Sequence, residues 1–349
     1  GMPHVFAVFL IVAASGALNV ASIASVFGRT IYKPLAPLSG LLAVALLIGG
    51  LSVLVLDLGR PDRLIVAMTH YNFRSIFAWN IFLYVGFLAV VAVYLWMMME
   101  RRMNRFTAPA GLFAFVWRLT LTTGTGSIFG FLVAREAYDA AVMAPMFIAM
   151  SFSFGLAVFI LVLMAHYRGS GRPLGDAVMG RLRKLLGVFV AVVLYFVAVQ
   201  HLTNLYAAEH SGVEAFILWN GGMITTLFWL GQVVIGGLLP LALLFTAKSR
   251  GMTALAAVLV ILGGIAQIYV IIIGGQAYPL VLFPGMEVAS SFQDGVIARY
   301  TPSLFEVLLG LGGVALALLA VVLGPLVLRF LPLSLADERI DPHYTPAKG

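Results

Sequence analysis

Seven polar or charged residues, Asp57, Arg60, Asp62, Arg63, His70, Asn72 and Arg74, fall within eighteen residues of the stretch DLGRPDRLIVAMTHYNFRSIFAWN, which runs from Asp57 to Asn80. Tyr71 and Asn80 add hydrogen-bonding groups, and Phe73, Phe77 and Trp79 add apolar walls. These residue types suit the oxidation or reduction of a quinone. The flat ring needs an apolar slot, and its two carbonyls need hydrogen bonds. One group must titrate, because two protons leave with the two electrons of a quinol. Asp57 and His70 are the candidates for that proton transfer. Arg60, Tyr71, Asn72, Trp79 and Asn80 are the candidates for holding the ring. Arg135 and Glu136 fall at the same level and are further candidates, either for the ring or for pairing with the loop. The plain alternative is a solvated loop with surface ion pairs.

Two helices must position this stretch. Pro61 cannot continue a helix begun upstream, and Gly59 loosens the backbone before it. The upstream helix is therefore expected to end near Asp57, and the next to begin near Arg74 or Ser75. The 349 residues are 62% hydrophobic and 10% charged, with a mean hydropathy of +1.05. Soluble domains carry roughly 25% charged residues. The chain thus reads as an all-α polytopic membrane protein with no room for a soluble domain. Apolar runs long enough to cross a bilayer predict nine spans, at about 4–27, 36–57, 75–98, 110–134, 142–166, 185–207, 214–246, 252–275 and 303–331. The seventh is long enough to tilt or to begin as an interfacial turn.

The echo of Ala78-Trp79-Asn80 in Leu218-Trp219-Asn220, each after a loop histidine, His70 or His210, points to two four-helix bundles. They cover 1–140 and 141–276, and 277–349 adds an apolar loop, a last helix and a tail. The loop at 276–302 is expected to lie over the membrane surface or against a partner, with a loosely ordered loop as the plain alternative. Gly1 precedes Met2, so an upstream segment, and with it a tenth span, is expected to be missing.

The net charge of +7 is dispersed over loops and is no nucleic-acid footprint. Arg29, Lys33, Arg101, Arg102, Arg105, the cluster from Arg168 to Lys184, Lys248, Arg250, Arg329, Arg339 and Lys348 fall on one side of the alternating spans. Only Arg60, Arg63, Arg74, Arg135 and Arg299 fall on the other. Short loops obey the positive-inside rule, so the C-terminus is expected in the cytoplasm and Asp57–Asn80 in the periplasm.

The absence of cysteine excludes disulfides, thiolate-held iron–sulfur clusters and cysteine zinc sites. Of the six histidines, His4, His70, His201 and His210 fall at or beyond the same ends of the spans, His166 lies near the other end, and His343 lies in the tail. No deep pair is placed to hold a haem, and a His4–His201 haem is the one arrangement left open. No spacing supports a metal site. Arg118, within the fourth span, is expected to snorkel to the nearer interface or to serve an ion or proton path. Glu214 and Glu306 open spans and read as helix caps. Thr122–Ser127 lacks the lysine of a phosphate loop; Gly126 and Gly130 read as helix-packing positions, and the alternative is that the Ser and Thr of this segment line a wet path for protons. A transporter reading finds no broken-helix signal and no midplane charge besides Arg118.

The order DLGRPDR, then NFRSIFAWN, after two spans resembles the NrfD/PsrC family of membrane subunits. Together with WRLTLTTGTGSIFGFLVAREAYD and LYFVAVQHLTNLY it resembles, within that family, the DsrP (HmeB) branch of DsrMKJOP-type complexes of dissimilatory sulfur metabolism. That resemblance implies a haem-free subunit of the inner membrane that binds no iron–sulfur cluster. It implies electron exchange between menaquinone or ubiquinone and a periplasmic ferredoxin-like iron–sulfur subunit (DsrO-like). A haem b membrane subunit and a c-type cytochrome are the further implied partners. The quinone is expected near the periplasmic face in the first bundle. A passive anchor and a proton-conducting or transporter subunit are the alternatives.

Overall fold

The computed structural model describes residues 1–246, 249–280, 295–328 and 330–340. Lys248, Arg329, His343, Lys348 and the middle of the 276–302 loop lie outside the described residues. Nine long helices occur among the described residues, and no β-strand. They are α1 (Met2–Ser25), α2 (Thr30–Asp57), α3 (Ile76–Met99), α4 (Thr107–Gly130), α5 (Met143–Gly169), α6 (Asp176–Tyr206), α7 (Met223–Thr246), α8 (Arg250–Ala277) and α9 (Leu304–Leu328). Eight are long and apolar enough to cross a membrane; α4, with its threonines, glycines and Arg118, is less apolar. Contacts nevertheless follow α4 antiparallel along α3. Asn80 reaches Gly124, Leu83 reaches Trp117, and a Cβ on Gly111 would meet Tyr94. α4 therefore covers the same depth as α3.

α1 packs on α2 and α4, and α3 links α2 to α4, which closes one ring of helices; α5 to α8 close a second in the same way. α1 and α5 pack on each other where the rings meet and are the most buried spans, while α9 lies outside against α1 and α2. Lipid tails are as apolar as leucine, so close backbone contact and hydrogen bonds must carry this association. Each end has its own polar contacts. Arg250 pairs with Asp176 at 2.8 Å, and Asp337 of the tail accepts from the Asp176 and Ala177 amides at one end. His4 meets Asp57, and His210 meets the Glu136 carbonyl, at the other.

Helix α2 ends at Asp57, and Ser75 precedes α3, as Pro61 and the polar run predict. The seventh apolar run, expected over 214–246 either as a tilted span or with an interfacial turn at its start, takes the second form. A separate short helix, Ser211–Ala215, with its continuation Phe216–Asn220, stops at Gly221, and Gly222 turns the chain with φ +57° before α7 begins. A left-handed turn favours glycine, so Gly221-Gly222 was a broken-helix signal after all. Glu214 is not a cap. Its carboxylate is 1% exposed, taking His201 Nδ1 at 2.7 Å and Asn204 Nδ2 at 2.9 Å from α6. Glu306 does cap: it accepts from the Ser303 amide at 2.7 Å while its own amide donates to Ser303 Oγ.

Arg118 does not snorkel. It is 2% exposed, donates from Nη1 to the Ser15 carbonyl at 3.2 Å, and lies 4.9 Å from the ring centroids of both Phe115 and Phe152. The guanidinium is held at the joint between α1, α4 and α5. Cation–π contact and one carbonyl offset part of the cost of its burial.

Candidate functional site

A cavity of about 490 Å³ opens at the end of the bundle that carries the 57–80 stretch. One face of each neighbouring helix supplies its wall. His4, Val8 and Ile11 come from α1, Asn80, Ile81, Tyr84 and Val85 from α3, and Thr125, Ile128, Phe129 and Leu132 from α4 and its end. Those spacings of one, three and four residues are successive positions on one helical face. Leu58 leaves α2 with an extended backbone (ψ 122°), and Pro61–Arg63 turns the chain into the short helix Leu64–Thr69. Leu64 and Met68 of that helix roof the cavity. Tyr138, from the segment that links α4 to α5, and Ile272 and Gln276 of α8 close it, so the cavity lies where the two bundles meet.

The polar groups are few and specifically held. His4 Nδ1 lies 2.9 Å from Asp57 Oδ2, with side-chain exposures of 50% and 28%, so this pair is at the mouth. Asn80 is 2% exposed. Its amide donates to the Ile76 and Gly124 carbonyls at 2.9 and 3.1 Å, and its oxygen accepts from Thr125 Oγ1 at 3.4 Å. Thr125 Oγ1 is also 3.3 Å from the Tyr84 hydroxyl. Asn80 Oδ1 keeps one lone pair, since both amide protons and one acceptor position are in use. Gly124 permits this contact: a Cβ there would lie 3.3 Å from Asn80 Oδ1 and 2.9 Å from Leu83. Asn80→Leu leaves the Gly124 carbonyl without this donor and should cost about 1–3 kcal/mol. Thermal unfolding of the detergent-solubilised protein checks this.

The remaining sequence candidates are placed around the cavity rather than in its lining. Arg60 bonds Asp62 through Nε and Nη2 at 3.2 and 3.1 Å on the exposed turn. His70 Nδ1 meets Thr69 Oγ1 at 3.0 Å, and Asn72 Oδ1 accepts from the Arg74 amide at 3.1 Å, both exposed. Tyr71 and Trp79 line a separate outer groove of about 230 Å³ with Phe73, Ala78 and Phe82. Arg135 Nη1 donates to the Gln276 and Tyr278 carbonyls at 3.1 Å each, so it fixes the end of α8 beside the cavity. The Glu136 carbonyl takes His210 Nδ1 at 2.7 Å.

Burial pushes the Glu136 carboxyl above the usual range, with His210 pulling it down and Glu209 pushing it up. A raised carboxyl holds its proton more tightly in the folded chain. Its ionisation therefore lowers stability as pH rises through the raised value. Glu136→Gln should melt higher than the parent chain at pH 7, and the difference should vanish below about pH 4, where glutamate is protonated in both states. Melting curves at the two pH values check the sign.

The residues not singled out from sequence are Tyr84, Tyr138 and Gln276; Thr125 was considered only within the Thr122–Ser127 segment, and His4 only as a haem ligand. His4 and His201 lie in separate cavities: His201 faces a water-sized space with Gln200, Gln232 and Gln267. The helical spacing of His4, Val8 and Ile11, and of Asn80 and Tyr84, was visible. Which faces meet was not.

Comparison with known proteins matches residues 1–279 to the polysulphide reductase family NrfD. The Hdr-like menaquinol oxidoreductase integral membrane subunit of Archaeoglobus fulgidus is 30% identical over 333 residues, covering 94% of this chain and 84% of that protein. A selenate reductase subunit of Mesobacillus selenatarsenatis is 23% identical, covering 88% of this chain and 80% of its own length. One of the polysulfide reductase subunits of Wolinella succinogenes is 25% identical over 69% of this chain and 82% of its own.

Proposed function

This chain belongs to the NrfD family of multi-pass membrane subunits, and on that premise we propose that it is the quinone-reactive subunit of a multi-subunit oxidoreductase. The observation that carries the reading is the apolar cavity with the His4–Asp57 pair at its mouth and Asn80, Thr125 and Tyr84 in its wall. Its volume and lining fit a substituted quinone ring and part of its tail.

The roles follow from the bonding. With His4 Nδ1–H donated to Asp57, Nε2 is left as the acceptor of a histidine that lines the cavity. It takes one quinol proton, with the Asp57 carboxylate stabilising the imidazolium that forms, releases it at the exposed mouth, and then takes the second, so that two protons leave with the two electrons. Asn80 Oδ1 and the Tyr84 hydroxyl hold the second oxygen. Tyr71 and Trp79 guide the molecule at the rim, and Arg60, His70 and Asn72 shape the loop that roofs the mouth. Arg135 and Glu136 hold the far wall. The chain has no cysteine, so the two electrons pass to a cluster on a partner.

The narrower reading is a DsrMKJOP-type complex of dissimilatory sulfur metabolism in the inner membrane. Its ferredoxin-like iron–sulfur subunit would dock on the periplasmic face, with a haem b membrane subunit and a c-type cytochrome as further partners. The similarity to the Archaeoglobus menaquinol oxidoreductase subunit supports a quinone-linked complex and favours menaquinone. The dispersed basic face supports a cytoplasmic C-terminus. Co-purification from native membranes tests the assembly. Recovery of a ferredoxin-like subunit and a c-type cytochrome supports the narrower reading, and recovery of a molybdenum-type reductase instead refutes it.

A further inference from the structure

A second, larger apolar space lies at the opposite end of α3 and α4, away from the His4–Asp57 mouth. It is a groove of about 670 Å³ whose walls include Ala89, Val93 and Met97 of α3, Met103 and Phe106 of the connecting turn, and Phe113 of α4. We infer that this groove holds one anionic phospholipid, with an acyl tail along α3 and its phosphate among Arg101, Arg102 and Arg105.

The groove has the length of an acyl tail in one leaflet. Ala89 to Met97 is eight residues of helix, about 12 Å at the α-helical rise. Half of a typical hydrocarbon core is about 15 Å. The groove starts at the turn Arg101–Phe106, where the helix pair reaches the basic face. It opens sideways: Val93, Phe106 and Phe113 are 48%, 40% and 54% exposed. An apolar slot open to the side at this depth takes a lipid tail.

The charge at its mouth selects the headgroup. The Arg105 guanidinium carbon lies 4.6 Å from the ring centroid of Phe106, which is itself a wall of the groove. The positive charge is therefore held at the slot and is not spread over the surface. Arg101 and Arg102 extend from the same exposed turn. Glu100, the one carboxylate beside them in sequence, accepts from the Arg102 backbone amide at 3.3 Å, so it serves the turn. Among the described residues no carboxylate lies within 4.0 Å of these three guanidinium groups. Basic clusters beside apolar grooves at a membrane surface attract anionic headgroups. An anionic glycerophospholipid carries both features on one molecule. A transmembrane helix of a partner would fill the slot but leave three arginines without a counter-charge.

Native mass spectrometry of the full chain released from micelles tests this. Phosphatidylglycerol and phosphatidylcholine with identical acyl tails are supplied separately, and inorganic phosphate is added as a competitor. The parent chain should retain one phosphatidylglycerol with at least tenfold preference over phosphatidylcholine, and free phosphate should not displace it. R101Q/R102Q/R105Q should lose that retention at least tenfold. Ala89→Phe fills the groove from an exposed position and keeps all three arginines; it should lose it equally. R168Q/K184Q, which removes charge from the second bundle, should retain it. Equal retention of the two lipids overturns the proposal, as does undiminished retention by Ala89→Phe or displacement by phosphate alone. A lipid-free dimer that Ala89→Phe dissociates also overturns it, because a second copy then occupies the groove.

Discussion

Asp57→Asn should lower quinol oxidation by about two orders of magnitude while the subunit assembles as before. In the parent chain the Asp57 carboxylate accepts from His4 Nδ1, which leaves Nε2 free to accept a proton. An asparagine amide can donate to Nδ1 instead, and that favours the other tautomer, whose Nε2 carries a proton and cannot accept one. A positioned general base contributes typically ~10²–10⁴-fold. His4→Ala should fall at least as far, because it removes the acceptor itself. Both side chains are part-exposed, so neither change opens the packed interior. Steady-state oxidation of a short-chain quinol by the isolated complex checks this, and the loss should appear in kcat more than in KM. A drop confined to KM would instead make the pair a binding contact.

Gly155→Val should leave almost no folded protein. α1 and α5 meet at Gly16 and Gly155. A Cβ on Gly155 would run into the Gly16 carbonyl carbon and the Ala17 amide nitrogen, and one on Gly16 into the Ser151 carbonyl. These are all backbone atoms of central helices, so no side chain can swing aside. Overpacking of even an ordinary core costs on the order of 1–3 kcal/mol, and here the helices themselves must separate. Arg118, wedged at the same joint between Phe115 and Phe152, would lose its place with them. Gly180→Ala is the matched control. Nothing lies within 4 Å of its added Cβ, and the helical propensity of alanine favours it by about 1 kcal/mol. Size-exclusion profiles of the two variants should differ plainly, the first aggregated and the second as the parent.

These two predictions stand on parts of the molecule that the sequence revealed unequally. The end of α2 at Asp57 was legible because Pro61 and Gly59 act locally. So was the start of α3, and Asn80 was legible as a polar residue at the head of an apolar run. Gly126 and Gly130 read correctly as packing positions: a Cβ on either would meet backbone of the segment running into α5 or of α5 itself. His4 could not be joined to Asp57 from sequence, because the two are brought together only when α1 packs on α2. Glu214 read as a cap because a carboxylate early in a helix usually is one. Its true partners, His201 and Asn204, lie on the preceding helix. Arg118 read as snorkelling because an isolated helix would let it do so, whereas α5 supplies Phe152 and α1 supplies the Ser15 carbonyl. In each case a tertiary neighbour decided how the side chain is used.

The central claim is that the cavity at the meeting of the two bundles binds a quinone. A titration of membranes enriched in this protein with a fluorescent quinol-analogue inhibitor tests it most directly, comparing the parent chain with Asn80→Leu, His4→Ala and His70→Ala. The account predicts saturable quenching at about one inhibitor per protein molecule, weakened at least tenfold in the first two variants and unchanged in His70→Ala. The parent chain failing to quench saturably would contradict it and make the protein an anchor. Quenching lost with His70→Ala but kept with Asn80→Leu would move the site from the cavity to the exposed loop.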